Sequence, residues 1–295
     1  MAHSHHNHHS HHSNSSSRIG WAFCLNVSFT IIEFIGGWLT NSTAIMADAV
    51  HDLGDCLSIG SAWLLDRLGN KQANSDYTYG YRRLSLLGAL INGLVLIAGS
   101  VWVLFTAIPR LYDPVMPHIE GMLALAVLGV AVNGFAAYRL SQGSTLNERV
   151  LNWHLLEDVL GWIAVLIVAA IMPFVNWPIL DPLLSIGFTL FILANVLRNL
   201  WATGRLFFQA VPDAPLLNKV RESLLAVDAV DSVHHLHLWS LDGEQHVLSA
   251  HIRVAPLVDL DDYSRAKARI SDALAALKLA HTTIEIELDG EACRD

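Results

Sequence analysis

The sequence predicts an α-helical membrane protein in which six transmembrane helices precede a small α+β domain. Of its 295 residues, 53% are hydrophobic and only 15% are charged, which is too apolar for an ordinary soluble domain. The charge is also uneven, because the segment from Pro212 carries most of the formal net charge of −9. These observations predict an apolar region at residues 18–211 and an acidic soluble region at residues 212–295.

Six apolar segments approach or exceed the roughly 20 residues that an α-helix needs to cross a bilayer. Polar or proline-containing connections separate them, among them Asn41-Ser42, Asp113-Pro114 and the segment 176–178. We place the six spans near residues 18–40, 43–65, 84–108, 119–140, 150–172 and 180–203.

Basic residues in the connections predict how these spans are oriented. Lys and Arg are enriched in cytoplasmic loops, and they flank the second-to-third and fourth-to-fifth connections here. The connections on the other side of the membrane contain only one basic residue, Arg110. Both termini are therefore expected in the cytoplasm. The flanking residues are Arg67, Lys71, Arg82, Arg83, Arg139 and Arg149.

The C-terminal region has a different periodicity. Residues 215–227 and 260–279 show helical spacing of apolar positions, whereas 233–240, 245–254 and 282–288 alternate as strands. The order αββαβ predicts a three-stranded sheet with both helices on one face.

The first 17 residues are almost entirely His, Ser and Asn. Such a tract cannot build a core, so we expect a disordered cytoplasmic arm. Its histidines suggest a weak metal-gathering role, although an expression tag could have a similar composition. Irregular interspersion with Ser and Asn favours a native arm.

One polar pattern occurs twice within the apolar spans. His51 and Asp55 lie four residues apart in the second span, and His154 and Asp158 repeat this spacing in the fifth. The spacing places each pair on one helix face. Ionisable residues at membrane depth are costly and tend to be functional. Two imidazoles and two carboxylates would suit Zn²⁺ or a similar divalent cation, and a metal site within a bilayer suggests transport.

Other carboxylates lie near these four residues. Asp48 shares the helix face of His51 and Asp55 and is a possible third carboxylate, although its position also suits a role in helix entry. Asp52 and Glu157 lie to the side of their motifs. We expect them to bond to neighbouring helices or to line a water-filled approach.

A second, tentative metal site is predicted in the C-terminal sheet. Strand alternation places His237, His251 and Glu287 on the face away from the buried residues, where they could bind a regulatory ion. An ordinary polar solvent face explains the same pattern equally well. His281 is a further candidate, and His234 is a weaker one.

The chain contains the stretches EFIGGWLTNSTAIMADAVHDLGD, YTYGYRRLSLLGALINGLVL, HLLEDVLGW, LDPLLSIG and HLHLWSL. Together they resemble the cation diffusion facilitator family of divalent-metal transporters, over residues 18 to 290. The resemblance implies that His51, Asp55, His154 and Asp158 are transport-site ligands. It also implies a homodimer that exports metal from the cytoplasm, commonly in exchange for protons, and a ferredoxin-like cytoplasmic domain for dimerisation and metal sensing.

The expected function is efflux of a divalent cation, most directly Zn²⁺/H⁺ antiport by alternating access. Co²⁺, Cd²⁺ and Ni²⁺ are alternative substrates, because the affinity order alone does not exclude them. An intramembrane metalloenzyme and a membrane metal sensor are the competing classes. We expect no enzymatic activity and no organic cofactor, with Zn²⁺ as substrate and possible regulatory ion.

The sequence also predicts the cellular location and the partners of the protein. The compact length resembles bacterial members, so we expect a multi-pass protein of the bacterial inner (plasma) membrane. Its expected partners are a second copy of the chain, membrane lipid, divalent metal ions and protons. The acidic C-terminal domain argues against nucleic acid.

Overall fold

Helices occupy the first two-thirds of the chain, and a domain with a three-stranded sheet follows. A computed structural model describes residues 10–69, 73–141, 146–256 and 258–293. In chain order the elements are α1 (Ser10–Thr40), α2 (Thr43–Gly69), α3 (Leu84–Ala107), α4 (Pro109–Tyr112), α5 (Ile119–Ser141), α6 (Leu146–Val175), α7 (Leu180–Phe207), α8 (Ala214–Leu225), β1 (Val230–Ser240), β2 (His246–Val254), α9 (Leu260–Ala275) and β3 (His281–Glu287).

The long helices confirm the predicted helical membrane domain. Among the described residues, five helical stretches are long and apolar enough to cross a membrane. They fall in α1, α3 with α4, α5, α6 and α7. The remaining predicted span is α2, which has 27 residues but carries Asp48, Asp52 and Asp55 within its apolar stretch. Those carboxylates lower its mean hydropathy, and one of them, Asp55, belongs to the repeated polar motif.

The predicted disordered arm, residues 1–17, overlaps the start of α1. Helix α1 begins at Ser10, so the structure places residues 10–17 in this helix. Once a helix is nucleated, each further residue adds a backbone hydrogen bond at small cost, which allows α1 to extend beyond its apolar stretch. Residues 1–9 lie outside the described residues.

The chain packs into two compact units. One contains the residues up to Trp63 together with Ile91–Asn199, and the other contains Leu64–Leu90 together with Leu200–Asp295. The boundary between the units falls within α2, α3 and α7.

Trp162 is at the centre of the first unit's core. Its side chain is fully buried, and its ring meets Phe29 of α1 edge-on at a centroid distance of 5.6 Å. Met122, Val165 and Met172 are also fully buried in the same cluster. Helix α5 approaches the indole through Gly129, where a Cβ atom would overlap the ring. A glycine at this position thus permits the close approach of α5 and α6.

Gly129→Ala is therefore expected to destabilise the membrane unit by about 1–3 kcal/mol, because the added methyl group overpacks a filled core. The measurement is reversible unfolding in detergent. Gly134→Ala is the matched control, since it lies on the same helix and the nearest atom to its added Cβ, Val159 Cγ2, is 4.0 Å away. Equal stabilities of the two variants would contradict this account of the α5–α6 contact.

The C-terminal domain has the predicted αββαβ order. Strand β2 lies at the centre of the sheet, antiparallel to β1 and parallel to β3. Leu248, Ala250, Ile252 and Val254 of β2 are buried as predicted. They pack in one cluster with Val220 and Leu224 of α8 and Ile270 and Leu274 of α9. Both helices therefore contribute to one core with the sheet, consistent with the predicted ferredoxin-like fold.

Candidate metal sites

The two repeated motifs meet in the first unit. The i, i+4 spacing places His51 and Asp55 on one face of α2, and His154 and Asp158 on one face of α6. Asp55 Oδ2 lies 3.0 Å from His154 Nε2 and 3.6 Å from His51 Nε2. Asp158 completes the group, with Oδ1 3.8 Å from His51 Nε2 and Oδ2 3.7 Å from His154 Nε2. Each carboxylate therefore lies close to both imidazoles.

These separations suit a divalent metal ion. A tetrahedral ion with bonds of about 2.0–2.2 Å separates its ligand atoms by about 3.3–3.6 Å. The four observed distances range from 3.0 to 3.8 Å. Suitable atoms of His51, Asp55 and His154 all lie within 4.8 Å of one another. The donor set of two nitrogens and two oxygens is one that Zn²⁺ and related borderline cations prefer.

Several of these donor atoms are buried with unused bonding capacity. Both carboxylate oxygens of Asp158 are buried and form no hydrogen bond with any described residue, and the buried atoms Asp55 Oδ2 and His154 Nε2 lie 3.0 Å from each other. Asp158 itself is only 4% exposed. Buried polar groups are normally paired, and leaving one unpaired costs about 1–3 kcal/mol. A cation bound between the motifs would satisfy these atoms together.

A cavity of about 690 Å³ opens beside His51, Asp55 and Asp158. Asp48 and Glu157 line it too, in keeping with the prediction that Glu157 borders an approach to the site. The cavity's other polar lining residues are Ser58, Asn92, Asn195 and Asn199.

Asp52 and Glu33 are buried in the same unit and do not line this cavity. Asp52 is 1% exposed and Glu33 is fully buried. The carboxylate oxygens of both residues are buried away from the hydroxyl and amide donors of the described residues. Asp52 interacts instead with the carboxyl group of Glu33 on the neighbouring helix α1.

At the start of α2, Asp181 forms a buried hydrogen-bonded network. Its carboxylate accepts hydrogen bonds from Ser42 Oγ at 2.5 Å, from the backbone N–H and Oγ1 of Thr43 at 2.7 Å each, and from the N–H of Ala44 at 3.2 Å. The first N–H groups of a helix lack partners within it, and a negative charge there is favourable. Asp181 of α7 thus caps α2, the helix that carries His51 and Asp55.

The C-terminal sheet contains a second cluster of possible metal ligands. His234 Nε2 and His251 Nδ1 each lie 3.0 Å from Glu287 Oε1, and Cys293 Sγ lies 3.5 Å from His251 Nδ1. One ligand atom from each of these four residues lies within 4.8 Å of the others. We call this set the C-terminal cluster. It includes the predicted His251 and Glu287.

The structure does not bring the predicted His237 together with these residues. A β-bulge in β1 shifts the register, so that His234 pairs with His251 and His237 pairs with Ser249. His235 has a φ of +44°, the local backbone conformation that accompanies the bulge. The alternation of side chains between the two faces of β1 is interrupted at this residue. His234 therefore occupies the place assigned to His237, which instead borders a cavity beside Gln209 and Trp239.

Glu287 is buried rather than exposed on an open face. It is 3% exposed, because His234, His251 and the chain after β3 cover it. Burial alone would raise the pKa of its carboxyl, but hydrogen bonding with His251, Cys293 and His234 outweighs that effect and lowers the pKa to about 2. Glu287 is consequently ionised at neutral pH, the state in which a carboxylate binds metal.

Cys293 was not predicted as a site residue. The sequence signal for it is weak, since it lies beyond the last strand and has no partner at a metal-ligand spacing. Gly290, with a φ of +76°, is the local feature that permits the chain to turn back. His281, a further candidate, lies against the ring of Tyr79 at a centroid distance of 5.6 Å and is outside the cluster.

Long apolar helices with two histidines and two aspartates brought together between α2 and α6 are typical of a multi-pass membrane protein with a candidate metal site between its helices. Comparison with known proteins identifies the family. The profile of the cation efflux transmembrane domain matches residues 21–207, and that of the cation efflux protein cytoplasmic domain matches residues 212–289. The chain belongs to the cation efflux, or cation diffusion facilitator, family and is a divalent-metal efflux transporter.

Individual relatives match along most of their length. Zinc transporter ZitB of Pectobacterium atrosepticum is 33% identical over 97% of this chain and 89% of its own length. The metal cation efflux system protein CzcD of Cupriavidus metallidurans is 30% identical, covering 90% of this chain and 85% of its own. The cadmium, cobalt and zinc/H(+)-K(+) antiporter of Bacillus subtilis is 29% identical, covering 91% and 88%.

Proposed function

We propose that this protein exports Zn²⁺ in exchange for protons and that His51, Asp55, His154 and Asp158 bind the ion during transport. The observation that carries the proposal is the convergence of both motifs, with imidazole-to-carboxylate distances of 3.0–3.8 Å, in a partly buried region of the helical unit. The names of its zinc-transporting and antiporting relatives support the substrate and the exchange.

Competition between metal and protons provides the physical basis for exchange. An imidazole binds metal only in its neutral form, and a carboxylate only when ionised, so metal binding requires the site to be free of protons. Protons arriving from outside would help to release the ion. Loss of protons to the cytoplasm would allow the site to bind again.

Alternating access would connect the site first to one side of the membrane and then to the other. The cavity beside His51 is lined by Ser58 of α2 and Asn92 of α3, which lie in the halves of these helices that are nearest in sequence to the α2–α3 connection. Arg82 and Arg83 lie in that connection, and basic residues favour the cytoplasmic side. We therefore infer that the described conformation faces the cytoplasm and that both termini lie there.

An imposed pH gradient tests the exchange directly. In proteoliposomes that are acidic inside, zinc uptake is expected to rise severalfold over vesicles without a gradient, because protons leave as zinc enters. A protonophore should remove the increase, and vesicles with Asp55→Ala should show no zinc flux under either condition. Zinc flux that ignores the gradient would refute proton coupling while leaving metal transport intact.

Zn²⁺ is the substrate that the donor set supports best. Two imidazoles and two carboxylates suit borderline cations, which also include Co²⁺, Ni²⁺ and Cd²⁺. The transport site has no thiolate among its described ligands, since Cys56 hydrogen-bonds with Asn26 and Thr30 of α1 instead. This absence disfavours a soft-metal specialist. We infer transport without catalysis, in line with membership of a transporter family.

The remaining parts of the chain have proposed roles around this site. We infer a domain boundary at residues 211–212, a homodimer formed with the help of the C-terminal domain, and residence in the bacterial inner membrane. Residues 1–17 would form a weak metal-gathering arm. The C-terminal cluster would bind a regulatory divalent ion, since its ligands are of the types that hold Zn²⁺.

A further inference from the structure

Two carboxyl groups meet between α1 and α2, outside the cavity that adjoins the proposed transport site. Glu33 of α1 is fully buried and Asp52 of α2 is 1% exposed. The two groups interact with each other, and their oxygens are buried away from the hydroxyl and amide donors of the described residues. We call Glu33 and Asp52 the carboxyl pair. Neither residue lines the cavity, so the pair belongs to the contact between the helices.

The two helices pack closely along this face. On one side of the pair, Cys56 Sγ of α2 lies 3.6 Å from Asn26 Nδ2 of α1. On the other side, a Cβ atom added to Gly37 of α1 would lie 3.2 Å from the backbone nitrogen of Met46. The carboxyl pair therefore lies in the middle of a tight helix contact, where a hydrogen bond between its members would fix one helix against the other.

One member of the carboxyl pair must carry a proton. Two ionised carboxylates in contact repel each other, and burial of an ionised carboxylate without compensating partners is very costly. The charged groups that act most strongly on Glu33 are Asp52, Asp48 and Asp158, which are all acidic. Asp52, in contrast, also has the imidazole of His154 within range. These surroundings assign the proton to Glu33 and make Asp52 the acceptor.

The position of Asp52 connects the carboxyl pair to the metal ligands. Asp52 directly follows His51 on α2, so a hydrogen bond to Asp52 restrains the turn of the helix that presents His51. Groups that orient metal ligands in this way have large effects on metal affinity, although they do not touch the ion. A buried carboxylic acid that is kept neutral by its surroundings is a suitable donor for such a bond.

We propose that Glu33 is a positioning residue, whose carboxyl group stays protonated throughout transport and donates a hydrogen bond to Asp52, thereby orienting His51 towards the metal ion. The inference rests on the proposed function, because it concerns the placement of a transport-site ligand. It gives Glu33 no part in proton exchange, since the pair lies outside the cavity through which the site is reached.

Zinc flux in proteoliposomes tests the positioning role. Glu33→Gln retains a donor of the same shape, so its flux should stay within about threefold of the unaltered protein, with the same response to an imposed pH gradient. Glu33→Leu removes the donor, and its KM for zinc should rise by about 10–100-fold. Glu120→Gln, at an exposed position on α5, is the matched control and should leave both quantities unchanged. Loss of flux or of the pH response in Glu33→Gln, or an unchanged KM in Glu33→Leu, would overturn the proposal.

Infrared spectroscopy of the full-length protein in detergent tests the protonation state directly. The C=O stretch of a carboxylic acid is separate from the bands of an ionised carboxylate. The difference spectrum between the unaltered protein and Glu33→Gln should contain this stretch at neutral pH, both without metal and with saturating Zn²⁺. Its absence, or its loss when Zn²⁺ is added, would overturn the proposal. The band does not depend on transport, so an intact band alongside zinc flux that ignores the pH gradient would refute the proposed exchange alone.

Discussion

Asp158→Ala is expected to reduce zinc flux in proteoliposomes by about 100-fold or more. Changes to groups that merely support metal ligands cost about 10–100-fold in affinity or activity, so loss of a direct ligand should cost at least the upper end of that range. Asp158 lies within 3.8 Å of both imidazoles, and its oxygens form no hydrogen bond with any residue in the described ranges. Removing it is therefore expected to disrupt metal binding. No buried hydrogen-bond donor loses its acceptor, because none of the described residues donates to this carboxylate.

Glu157→Gln is the matched control for this prediction. It removes a carboxylate one position earlier on α6, where the side chain is exposed at the cavity rather than directed between the imidazoles. We expect flux within about threefold of the unaltered protein, as is usual for an exposed substitution outside the ligand set. Flux should be measured on protein with confirmed folding. A normal rate in Asp158→Ala would exclude this residue from the transport site.

Asp181→Ala is expected to destabilise the helical unit by about 3–5 kcal/mol, because it leaves buried donors without their charged acceptor. The carboxylate is 1% exposed and accepts four hydrogen bonds from Ser42, Thr43 and Ala44. Those donors form the start of α2. Metal transport should fall together with stability, since His51 and Asp55 depend on the placement of this helix.

Two further variants distinguish the loss of this helix cap from a general sensitivity of α7 to substitution. Asp181→Asn retains acceptor capacity but loses the charge, so its cost should lie below that of alanine. Thr189→Val removes a single hydrogen bond, to the carbonyl of Ser185, from a buried position on the same helix. We expect it to cost about 1 kcal/mol. Unfolding in detergent measures all three, and equal costs for Asp181→Ala and Thr189→Val would refute the capping account.

The helical architecture was predictable because its signals are local. Apolar stretches of sufficient length specify spans, and a four-residue spacing specifies a shared helix face. The contact of α2 with α6 is not a local property. Predicting this contact required the duplicated motif and the family resemblance. The 3.0 Å distance between Asp55 Oδ2 and His154 Nε2 depends on how the two helices pack against each other.

The C-terminal cluster shows where sequence periodicity was insufficient. Alternation correctly identified the buried side of β2, which is regular through Ile252. It failed in β1 because the bulge at His235 changes which residues face His251. Cys293 was missed because its position depends on the turn at Gly290, which returns the chain to the sheet. One inserted residue in β1 therefore explains why His234 replaces His237 among the candidate ligands, and one turn explains the addition of Cys293.

The most direct test of the central claim is the location of zinc in the protein by anomalous X-ray scattering at the zinc absorption edge. The account predicts a peak between α2 and α6, about 2.0–2.2 Å from nitrogen atoms of His51 and His154 and from oxygen atoms of Asp55 and Asp158. Asp158→Ala should remove or weaken this peak while leaving any peak at the C-terminal cluster. Zinc-saturated, transport-active protein with no peak between the two motifs would contradict the account.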